Sequence, residues 1–508
     1  MRKGPSAMRA GSVLRGPRID IIQYGMLWMM SSFFDHPILD THSGQALYRQ
    51  VYVWIKSGIE KGILVVGERI PPTRELAGLI GLNRTTVSAA YELLENEGLI
   101  KSMVGKGTYI SARPALSSKS ASSSAPEAEI SFQSSRPSKE LFPLDAFRAT
   151  CQEVLASPEA IDILQLGSPS GYPPLRRYLL EESQKNGNAK DDDDILITNG
   201  CQQALDLIQR VFIANDSDSV MIEDPVYAGV RNVFQRARVT GVPVHYDGID
   251  LDALERFLPR DRPKLLVVTP NFQNPTGATM PVPARLAVLR QANAFGMTVV
   301  ENNIYGSLRY EGEHLPTIKS LDDSASTLLL GSFSKIAFPG LRVGWIIGPR
   351  RMIARLAEAK QWCDLHTDQL SQAVLLRFAE SGRLNGHHQQ VFEAGLKRLH
   401  AVIDACERHL PKGSTFTQPQ GGMNVWVRLP DPLDASKLLP QALSRGVSYL
   451  PGSHFAVTRP AAQCLRLSFA GLEPERIHAG LAILGRVFAE GLEHDRQRSK
   501  FDSEPVVV

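Results

Sequence analysis

The sequence has few cysteines, and none of them forms a recognisable motif. The five cysteines are odd in number, widely spaced and free of any Cys-x-x-Cys pair. Such a distribution indicates neither a disulfide framework nor a zinc site. We therefore expect a protein of the reducing cytoplasm that holds no metal.

The sequence also has little net charge. Its 56 Lys and Arg residues stand against 53 Asp and Glu residues, which leaves a formal charge of +3. Proteins that coat nucleic acid carry a large positive field, so any DNA contact here must be local. The chain of 508 residues, 43% of them hydrophobic, is too long for one ordinary core. Two or more domains are expected.

No apolar run is long enough to span a membrane. Residues 21–34 follow several basic residues and resemble a signal peptide in outline. Polar residues interrupt this stretch, no small-residue cleavage site follows it, and a spanning helix needs about 20 apolar residues. We interpret residues 1–40 as a disordered extension, or as a misassigned start whose true initiator is Met26, Met29 or Met30.

One strong break in composition divides the chain. Residues 112–138 are rich in Ser, Ala and Pro and offer little to bury, which is typical of a flexible linker. The break separates a small unit, residues 41–111, from a large unit, residues 139–493. Residues 494–508 form a charged tail.

The small unit shows three helical patterns. Apolar residues recur at helical spacing over Ala46–Glu60. A second helix follows, with Thr73 as the expected N-cap and Gly81 as its turn. A third helix begins where Asn83 can cap it and ends where Gly98 can stop it. Two helices joined by a turn that contains glycine form a helix-turn-helix.

Polar side chains that could contact DNA cluster around this motif. Residues 99–111 alternate apolar and polar around two glycines, which predicts a hairpin or wing. The start of a recognition helix can reach base edges and phosphates. The alternative is the solvated face of a protein-binding winged helix. The candidate DNA-binding residues are Arg74, Arg84, Thr85, Thr86, Lys106 and Gly107.

A resemblance favours DNA binding. The segment that runs from LYRQVYVWIK to MVGKGTYI is similar to the GntR-family DNA-binding domain over nearly its whole length. The similarity includes the entry G-x-R-x-PP-x-REL and the GKGT wing. It implies a winged helix-turn-helix domain whose partner is operator DNA.

The large unit has the pattern of an α/β domain. Strand-like apolar runs alternate with helical stretches, which predicts a mostly parallel sheet with helices on both faces. In such sheets ligands bind at the carboxyl ends of the strands. The runs are ILIT, SVMIED, KLLVVTP, TVVEN, TLLLGSFS and GWIIG.

Candidate ligand residues follow several of these runs. In GSFSKIAFPGLR, Lys335 lies near two hydroxyls and an arginine, which suits an aldehyde that carries a phosphate. The sequence TNGCQQ opens a helix whose amino end can hold phosphate. Arg466 lies in an otherwise apolar strand, where an anion is its natural partner. The remaining candidates are Cys201, Gln202, Tyr227, Asn274, Asn302, Tyr305, Ser332, Ser334 and Arg342.

Jointly, the order and spacing of these residues resemble the fold type I aminotransferases, especially the branch near aminoadipate and kynurenine aminotransferases. The resemblance implies pyridoxal 5'-phosphate on Lys335, a smaller C-terminal α+β subdomain and a homodimer. It implies a stacking role for Tyr227 and a substrate carboxylate on Arg466. It places Asn274 and Tyr305 at the ring oxygen, and Cys201, Gln202, Ser332, Ser334 and Arg342 around the phosphate.

Two positions depart from the enzymes. Asn302 stands where they carry an Asp that keeps the pyridine nitrogen protonated, although Glu301 or Asn303 could be the true counterpart. Leu166 stands where they commonly carry a tyrosine. Both changes weaken transamination more than binding.

A GntR-type domain joined to an aminotransferase-like domain is the MocR arrangement. We therefore expect a regulator that senses pyridoxal phosphate, or an amino compound, through imine chemistry at Lys335. One alternative is an active aminotransferase that carries an incidental DNA-binding domain. Another is a DNA-binding protein whose large domain has lost the cofactor and serves as a scaffold.

Overall fold

The computed structural model describes residues 33–34, 47–60, 63–96, 99–103, 107–111 and 128–502. The chain divides into two compact units, with the boundary between Pro126 and Glu127.

Between residues 47 and 110, the described part of the small unit has three helices and a three-stranded sheet. Strand β3 pairs antiparallel with both β1 and β2, in the order β1-β3-β2. The elements are α1 (Leu47–Glu60), β1 (Arg69–Ile70), α2 (Thr73–Ile80), α3 (Arg84–Asn96), β2 (Ile100–Met103) and β3 (Gly107–Ile110). The predicted helix-turn-helix and hairpin are present, and β1 is a third strand that the sequence pattern did not indicate.

One detail of the helix ends differs from expectation. Thr73 is not the N-cap of α2: it is the first helical residue, and Pro72 occupies the capping position without a side-chain hydrogen bond. Gly81 ends the helix as expected, in a left-handed conformation whose N–H donates to the carbonyl of Ala77. Gly98 lies outside the described residues.

The core of the small unit includes residues that precede position 41. Phe34 is buried, and the ring of Phe33 stacks on Trp54 with centroids 4.9 Å apart. Both residues are helical. The assignment of residues 1–40 to an extension was therefore wrong at these two positions, because their aromatic rings pack against Trp54 of α1 in the apolar core of the small unit.

The large unit is built on an eight-stranded sheet with the order β5-β12-β11-β10-β9-β6-β7-β8. Most neighbours are parallel, but β12 is antiparallel to β11 and β5, and β8 is antiparallel to β7. All six strand-like runs of the sequence are strands here, whereas β7 was not predicted. The strands are β5 (Asp193–Thr198), β6 (Ser219–Asp224), β7 (Arg238–His245), β8 (Gly248–Ile249), β9 (Leu265–Val268), β10 (Thr298–Asn302), β11 (Thr327–Ser332) and β12 (Gly344–Pro349).

Helices cover both faces of this sheet. Along β6, Ile222 packs into one apolar cluster and Met221 into another, as the alternation of a strand requires. Helices α7 and α12 contribute to the first cluster, and α9 and α10 to the second. The helices of the large unit are α4 (Leu144–Leu155), α5 (Ala160–Ile163), α6 (Pro173–Lys185), α7 (Gly200–Phe212), α8 (Ala228–Val233), α9 (Leu251–Asp261), α10 (Val282–Phe295), α11 (Ile318–Leu321), α12 (Arg350–Asp364), α13 (Gln369–Glu380), α14 (Arg383–His409), α15 (Ala435–Ser444) and α16 (Pro474–Asp502).

A smaller α+β part completes the large unit. A four-stranded sheet with the order β13-β14-β17-β16 packs with α14 and α16 around one apolar core. Among the residues that the structure describes, no helix is both long and apolar enough to cross a membrane. The remaining strands are β4 (Ile130–Ser131), β13 (Thr415–Phe416), β14 (Asn424–Arg428), β15 (Val447–Ser448), β16 (Leu450–Pro451) and β17 (Cys464–Ser468).

Both predicted boundaries of the large unit differ from the structure. The last part of the predicted linker is folded: β4 pairs in parallel with β15, and Phe132 is fully buried. This segment packs because its two apolar residues, Ile130 and Phe132, enter the core of the smaller part. At the other end, α16 continues through residue 493 to Asp502. The boundary that we placed at residue 493 therefore falls inside a helix.

Candidate functional site

A cavity of about 430 Å³ opens at the carboxyl ends of the central strands. Asn302 is the last residue of β10, Ser332 is the last residue of β11, and Thr269 directly follows β9. Every residue proposed from the sequence for the cofactor or carboxylate lines this cavity. They are Cys201, Gln202, Tyr227, Asn274, Asn302, Tyr305, Ser332, Ser334, Lys335, Arg342 and Arg466.

Lys335 ends the short 3-10 helix that follows β11. Its amine donates a hydrogen bond to the carbonyl oxygen of Ser135 at 2.8 Å and lies 5.4 Å from the centre of the Tyr305 ring. Burial, followed by the positive charge of Arg466, lowers the pKa of Lys335 to about 8. A neutral amine is the nucleophilic form, so Lys335 is prepared to attack a carbonyl group near neutral pH.

The amino end of α7 faces Arg342 across a very short gap. Gly200 has a φ of +73°, and a Cβ atom at this position would lie 2.3 Å from Nη2 of Arg342. Only glycine allows this approach without strain. Nearby, the hydroxyl of Ser332 donates to Ser334 at 2.9 Å. Free backbone amides, hydroxyls and a guanidinium together form a suitable site for a phosphate.

The next residues of α7 line the same wall. Burial raises the pKa of the Cys201 thiol to about 12, and its sulfur lies 3.3 Å from the carbonyl oxygen of Gly331. Gln202 donates to the carbonyl of Gly229 at 3.0 Å. The exposed ring of Tyr227 lies so close to Gly229 that a Cβ atom there would be 2.2 Å from Cε1 of the tyrosine. Gly229 thus leaves room for a flat aromatic ring at the cavity wall.

Three residues on the opposite side form a hydrogen-bonded chain. The amide nitrogen of Asn274 donates to the hydroxyl of Tyr305 at 3.1 Å, and Nη1 of Arg466 donates to Oδ1 of Asn274 at 3.0 Å. Arg466 is 4% exposed, and within the described part of the chain its buried Nε has no partner. Burial lowers the pKa of Arg466 to about 10, yet the guanidinium remains charged at neutral pH. A buried cation with a free donor fits a carboxylate.

The structure decides which residue of the Glu301–Asn303 segment faces the cavity. Asn302 lines it, and its amide nitrogen lies 3.4 Å from the hydroxyl of Thr269. Glu301 instead accepts from the backbone N–H of Lys319 at 2.8 Å, and Asn303 accepts from Asn271 at 2.8 Å. The residue of this segment that faces the cavity is therefore a neutral amide, with a buried oxygen that has no partner among the described residues.

Several cavity residues were not predicted from the sequence. Residues 133–137, which we had assigned to the linker, form one wall, and His454 and Phe455 contribute to another. Two carbonyls of the first segment contact cations, Ser135 with Lys335 and Gln133 with Arg466. The alternation of Ile130, Ser131 and Phe132 was the signal that could have indicated a strand leading into this wall.

The small unit presents the residues proposed for DNA contact at its helix starts. Arg74 lies in the first turn of α2, and Arg84, Thr85 and Thr86 open α3. Arg74, Arg84 and Thr85 are exposed, and within the described ranges neither arginine forms an ion pair.

The wing is described only in part. Gly107 begins β3 with a φ of +111°, and a Cβ atom there would lie 2.6 Å from Nε of Arg69. Lys106 falls outside the described residues. Arg69, on the unpredicted strand β1, therefore lies beside the base of the wing.

Comparisons with known proteins match both units. Residues 47–110 match the family of bacterial regulatory proteins of the gntR family, and residues 143–484 match the aminotransferase class I and II family. The chain is 30% identical to the uncharacterised HTH-type transcriptional regulator YdfD of Bacillus subtilis, over 87% of this chain and 96% of the relative. It is 26% identical to the probable rhizopine catabolism regulatory protein MocR of Rhizobium meliloti, over 89% and 95%.

Relatives of the large unit alone include enzymes. The chain is 35% identical to aromatic-amino-acid aminotransferase 1 of Thermococcus litoralis, over 72% of this chain and 89% of the relative. A solved structure of LysN, the α-aminoadipate aminotransferase of Thermus thermophilus, complexed with N-(5'-phosphopyridoxyl)-L-leucine, is 35% identical, with a TM-score of 0.67 over 72% of this chain and 94% of that chain. The chain belongs to the aminotransferase class I and II family. Its aminotransferase-like unit follows a gntR-family DNA-binding domain, in the arrangement of the MocR regulators.

Proposed function

We propose that this protein is a cytoplasmic transcription regulator that binds operator DNA through its small unit and pyridoxal phosphate through Lys335, and that responds to an amino compound in the same cavity. The observation that carries the proposal is the placement of all the predicted ligand residues around one cavity, with the Lys335 amine buried in its wall. Relatives that match over most of this chain are named as an HTH-type transcriptional regulator and as a probable regulatory protein.

The residues present fit the cofactor. The cationic side chains Lys335, Arg342 and Arg466 line the cavity, and its described lining contains no Asp or Glu, which suits an anionic ligand. The glycine at position 200 keeps the amino end of α7 open to a phosphate. Bound pyridoxal phosphate would supply an aldehyde with which primary amines condense.

Each group has a defined task in this proposal. Tyr227 stacks on the ring, Asn274 and Tyr305 donate to its phenolate oxygen, and Asn302 faces its nitrogen. Arg466 binds the carboxylate of the amino compound, with Asn274 orienting the guanidinium. The phosphate is held by Cys201, Gln202, Ser332, Ser334 and Arg342.

The hydrogen bond between Lys335 and Ser135 offers a way to transmit the signal. A lysine nitrogen bonded to the cofactor would carry at most one hydrogen, against two or three on the free amine, so its hydrogen bond to the Ser135 carbonyl would be weakened or lost. A lysine released as a free amine would be able to donate to this carbonyl again. The wall that contains Ser135 follows the linker in the sequence, so a ligand that favours one arrangement of the wall biases the DNA-binding unit.

The alternative function is an aminotransferase that also binds DNA. The enzymes among its relatives support this alternative. The neutral side chain of Asn302 weighs against it, because it cannot stabilise a protonated ring nitrogen by charge. Repeated turnover of amino-acid and 2-oxo-acid pairs, on the order of 1 per second or more, would favour the enzyme.

The proposed regulator is a homodimer. An exposed apolar patch on the large unit supports this part of the proposal. Gln369, at the start of α13, donates to the carbonyl of Gln165 at 2.8 Å, which holds the segment after α5 near the start of α13. Sedimentation of Trp362→Arg against a Tyr246→Arg control tests the assignment, and only the first should yield monomers. The patch consists of Ile161, Leu164, Leu166, Trp362 and Leu365.

A gel-shift series on DNA upstream of the gene tests the whole proposal. Operator affinity of the wild type should change when pyridoxal phosphate, and then candidate amino acids, are added. Lys335→Ala should bind DNA as the wild type does without ligand and show no change with amino acids, whereas Lys139→Ala, an exposed control, should respond normally. If Lys335→Ala responds to amino acids as the wild type does, imine chemistry at Lys335 is not the signal.

A further inference from the structure

Arg136 is a cation in the cavity wall that the proposed function does not use. Its side chain lines the cavity and is exposed at its mouth. Within the described part of the chain, no carboxylate forms an ion pair with it. Burial and Arg466 are the larger causes of the lowered pKa of Lys335, and the positive charge of Arg136 adds to them.

The segment that carries Arg136 is held between the two groups that would bind an amino acid. The carbonyl of Gln133 contacts Nη2 of Arg466, and the carbonyl of Ser135 accepts from Lys335 at 2.8 Å. The hydroxyl of Ser468 donates to the carbonyl of Ser134 at 3.0 Å and fixes the segment along β17. Arg136 therefore sits one residue beyond a backbone carbonyl that already contacts the amine.

The other cations of the cavity already have partners in the proposed function. Arg342 lies at the phosphate corner beside Gly200, and Arg466 is bonded to Asn274 on the opposite side. Lys335 is the reactive amine. Because the described lining contains no Asp or Glu, the positive charge of Arg136 has no partner inside the cavity. An arginine so placed selects for an anion, since hydrogen bonds between two charged groups are the strong ones.

We propose that Arg136 binds the side-chain carboxylate of the effector, so that the amino compound sensed by this protein is an acidic amino acid. In this arrangement the amino group of the effector lies at Lys335, its α-carboxylate on Arg466 and its second carboxylate on Arg136. The inference rests on the proposed function, because it names the class of effector for the same cavity.

The test measures the binding of L-glutamate, and of its neutral isostere L-glutamine, to the full-length chain loaded with pyridoxal phosphate. The change in visible absorbance on addition of each amino acid reports the binding. The wild type should bind glutamate at least about tenfold more tightly than glutamine, which is the ratio expected from about 1.4 kcal/mol. Arg136→Gln should lose this preference, and Arg136→Lys should keep part of it.

Two controls separate the outcomes. Lys139→Gln makes the same change of charge nearby but outside the cavity, so it should keep the preference for glutamate. The dissociation constant of pyridoxal phosphate should be unchanged in Arg136→Gln, and a loss of cofactor affinity as large as that of Arg342→Gln would assign Arg136 to the phosphate and overturn the inference.

If the wild type binds glutamate and glutamine equally, the inference about Arg136 is wrong. Because both amino acids would still change the absorbance in that case, the proposed sensor function would stand. If no amino acid changes the absorbance of the loaded protein, both the inference and the amino-compound sensor are wrong.

Discussion

The amine of Lys335 donates to the backbone carbonyl of Ser135, 2.8 Å away and 200 positions earlier in the sequence. This contact joins the most reactive group of the cavity to the wall segment that follows the linker. The carbonyl of Gln133, in the same segment, contacts Arg466. Two groups assigned to the ligand therefore hold this part of the chain in its present position.

The first prediction concerns the backbone of this wall. Adding pyridoxal phosphate should increase hydrogen exchange of the peptide that contains residues 130–137, because the lysine donor is withdrawn from Ser135. Mass spectrometry of the exchanged protein measures this directly. Lys335→Ala should exchange faster than the wild type before any addition and should change little afterwards. Equal protection of the wild type with and without cofactor would show that the contact transmits no signal.

The second prediction concerns the pH at which Lys335 reacts. Burial and Arg466 lower the pKa of its amine to about 8, and only the neutral amine condenses with an aldehyde. The rate of imine formation should therefore rise with pH up to about 8 and level off above it, whereas an ordinary lysine would continue to gain up to about pH 10. Stopped-flow absorbance at a series of pH values gives the inflection.

A pair of substitutions tests the cause of that inflection. Arg466→Gln removes a nearby positive charge, so the pKa of Lys335 should rise and the inflection should move to higher pH. Arg428→Gln makes the same change at an exposed position of β14 and should leave it in place. Identical profiles for the two variants would show that the charge of Arg466 does not lower the pKa of Lys335.

The sequence was sufficient to predict the strands and helices whose apolar residues form long runs or recur at regular spacing. Six apolar runs became strands of the main sheet, and their carboxyl ends brought together residues as distant as Cys201 and Lys335. Parallel strands align these ends, so residues that follow different strands meet without any contact being known in advance.

Elements without a period were missed. Strand β1 has two residues, too few to show alternation, and at β4 the alternation covers only Ile130, Ser131 and Phe132, which is short against the Ser-rich surroundings. The Ser-rich composition around Arg136 favoured a linker, yet burial of Ile130 and Phe132 anchors this segment in the core. Its role in the cavity depends on backbone carbonyls, and a carbonyl has no residue type that a sequence pattern could reveal.

The third prediction concerns the phosphate corner. Gly200→Ala would place a Cβ atom 2.3 Å from Nη2 of Arg342 and would also strain a backbone with a φ of +73°. The dissociation constant of pyridoxal phosphate should therefore rise at least about tenfold, the equivalent of about 1.4 kcal/mol. Gly340→Ala is the matched control, because a Cβ atom there meets nothing within 4 Å. Titration by absorbance compares the two variants. Equal affinities for pyridoxal phosphate would mean that its phosphate does not bind beside Gly200 and Arg342.

The fourth prediction concerns DNA binding. Arg84 is exposed at the start of α3, where a positive side chain can reach a base or a phosphate. Arg84→Ala should weaken operator binding by about 1–3 kcal/mol, measured by fluorescence anisotropy. Arg49→Ala, an exposed position on α1, removes the same charge from the same unit and should have a much smaller effect. Equal losses in both variants would indicate general attraction and no specific contact by α3.

The last prediction separates the regulator from the enzyme. In Asn302→Asp, a carboxylate would face the ring nitrogen, which should favour the protonated ring and so speed the loss of the α-proton of a bound amino acid. The surrounding acids do not already provide that charge. Burial raises the pKa of Glu223, which accepts from the N–H of Thr269 at 2.9 Å, to about 8, so it is largely protonated at neutral pH. Glu301 is directed toward Lys319.

We therefore expect single-turnover transamination by Asn302→Asp to be at least about tenfold faster than by the wild type, a lowering of the barrier by about 1.4 kcal/mol. Asn303→Asp is the control, because its side chain contacts Asn271 outside the cavity lining. The operator response to amino acids should persist in both variants, since it depends on the exchange of amines at Lys335 and not on removal of the α-proton. If Asn302→Asp is no faster than Asn303→Asp, the neutral amide is not what limits transamination, and Asn302 does not distinguish a sensor from an enzyme.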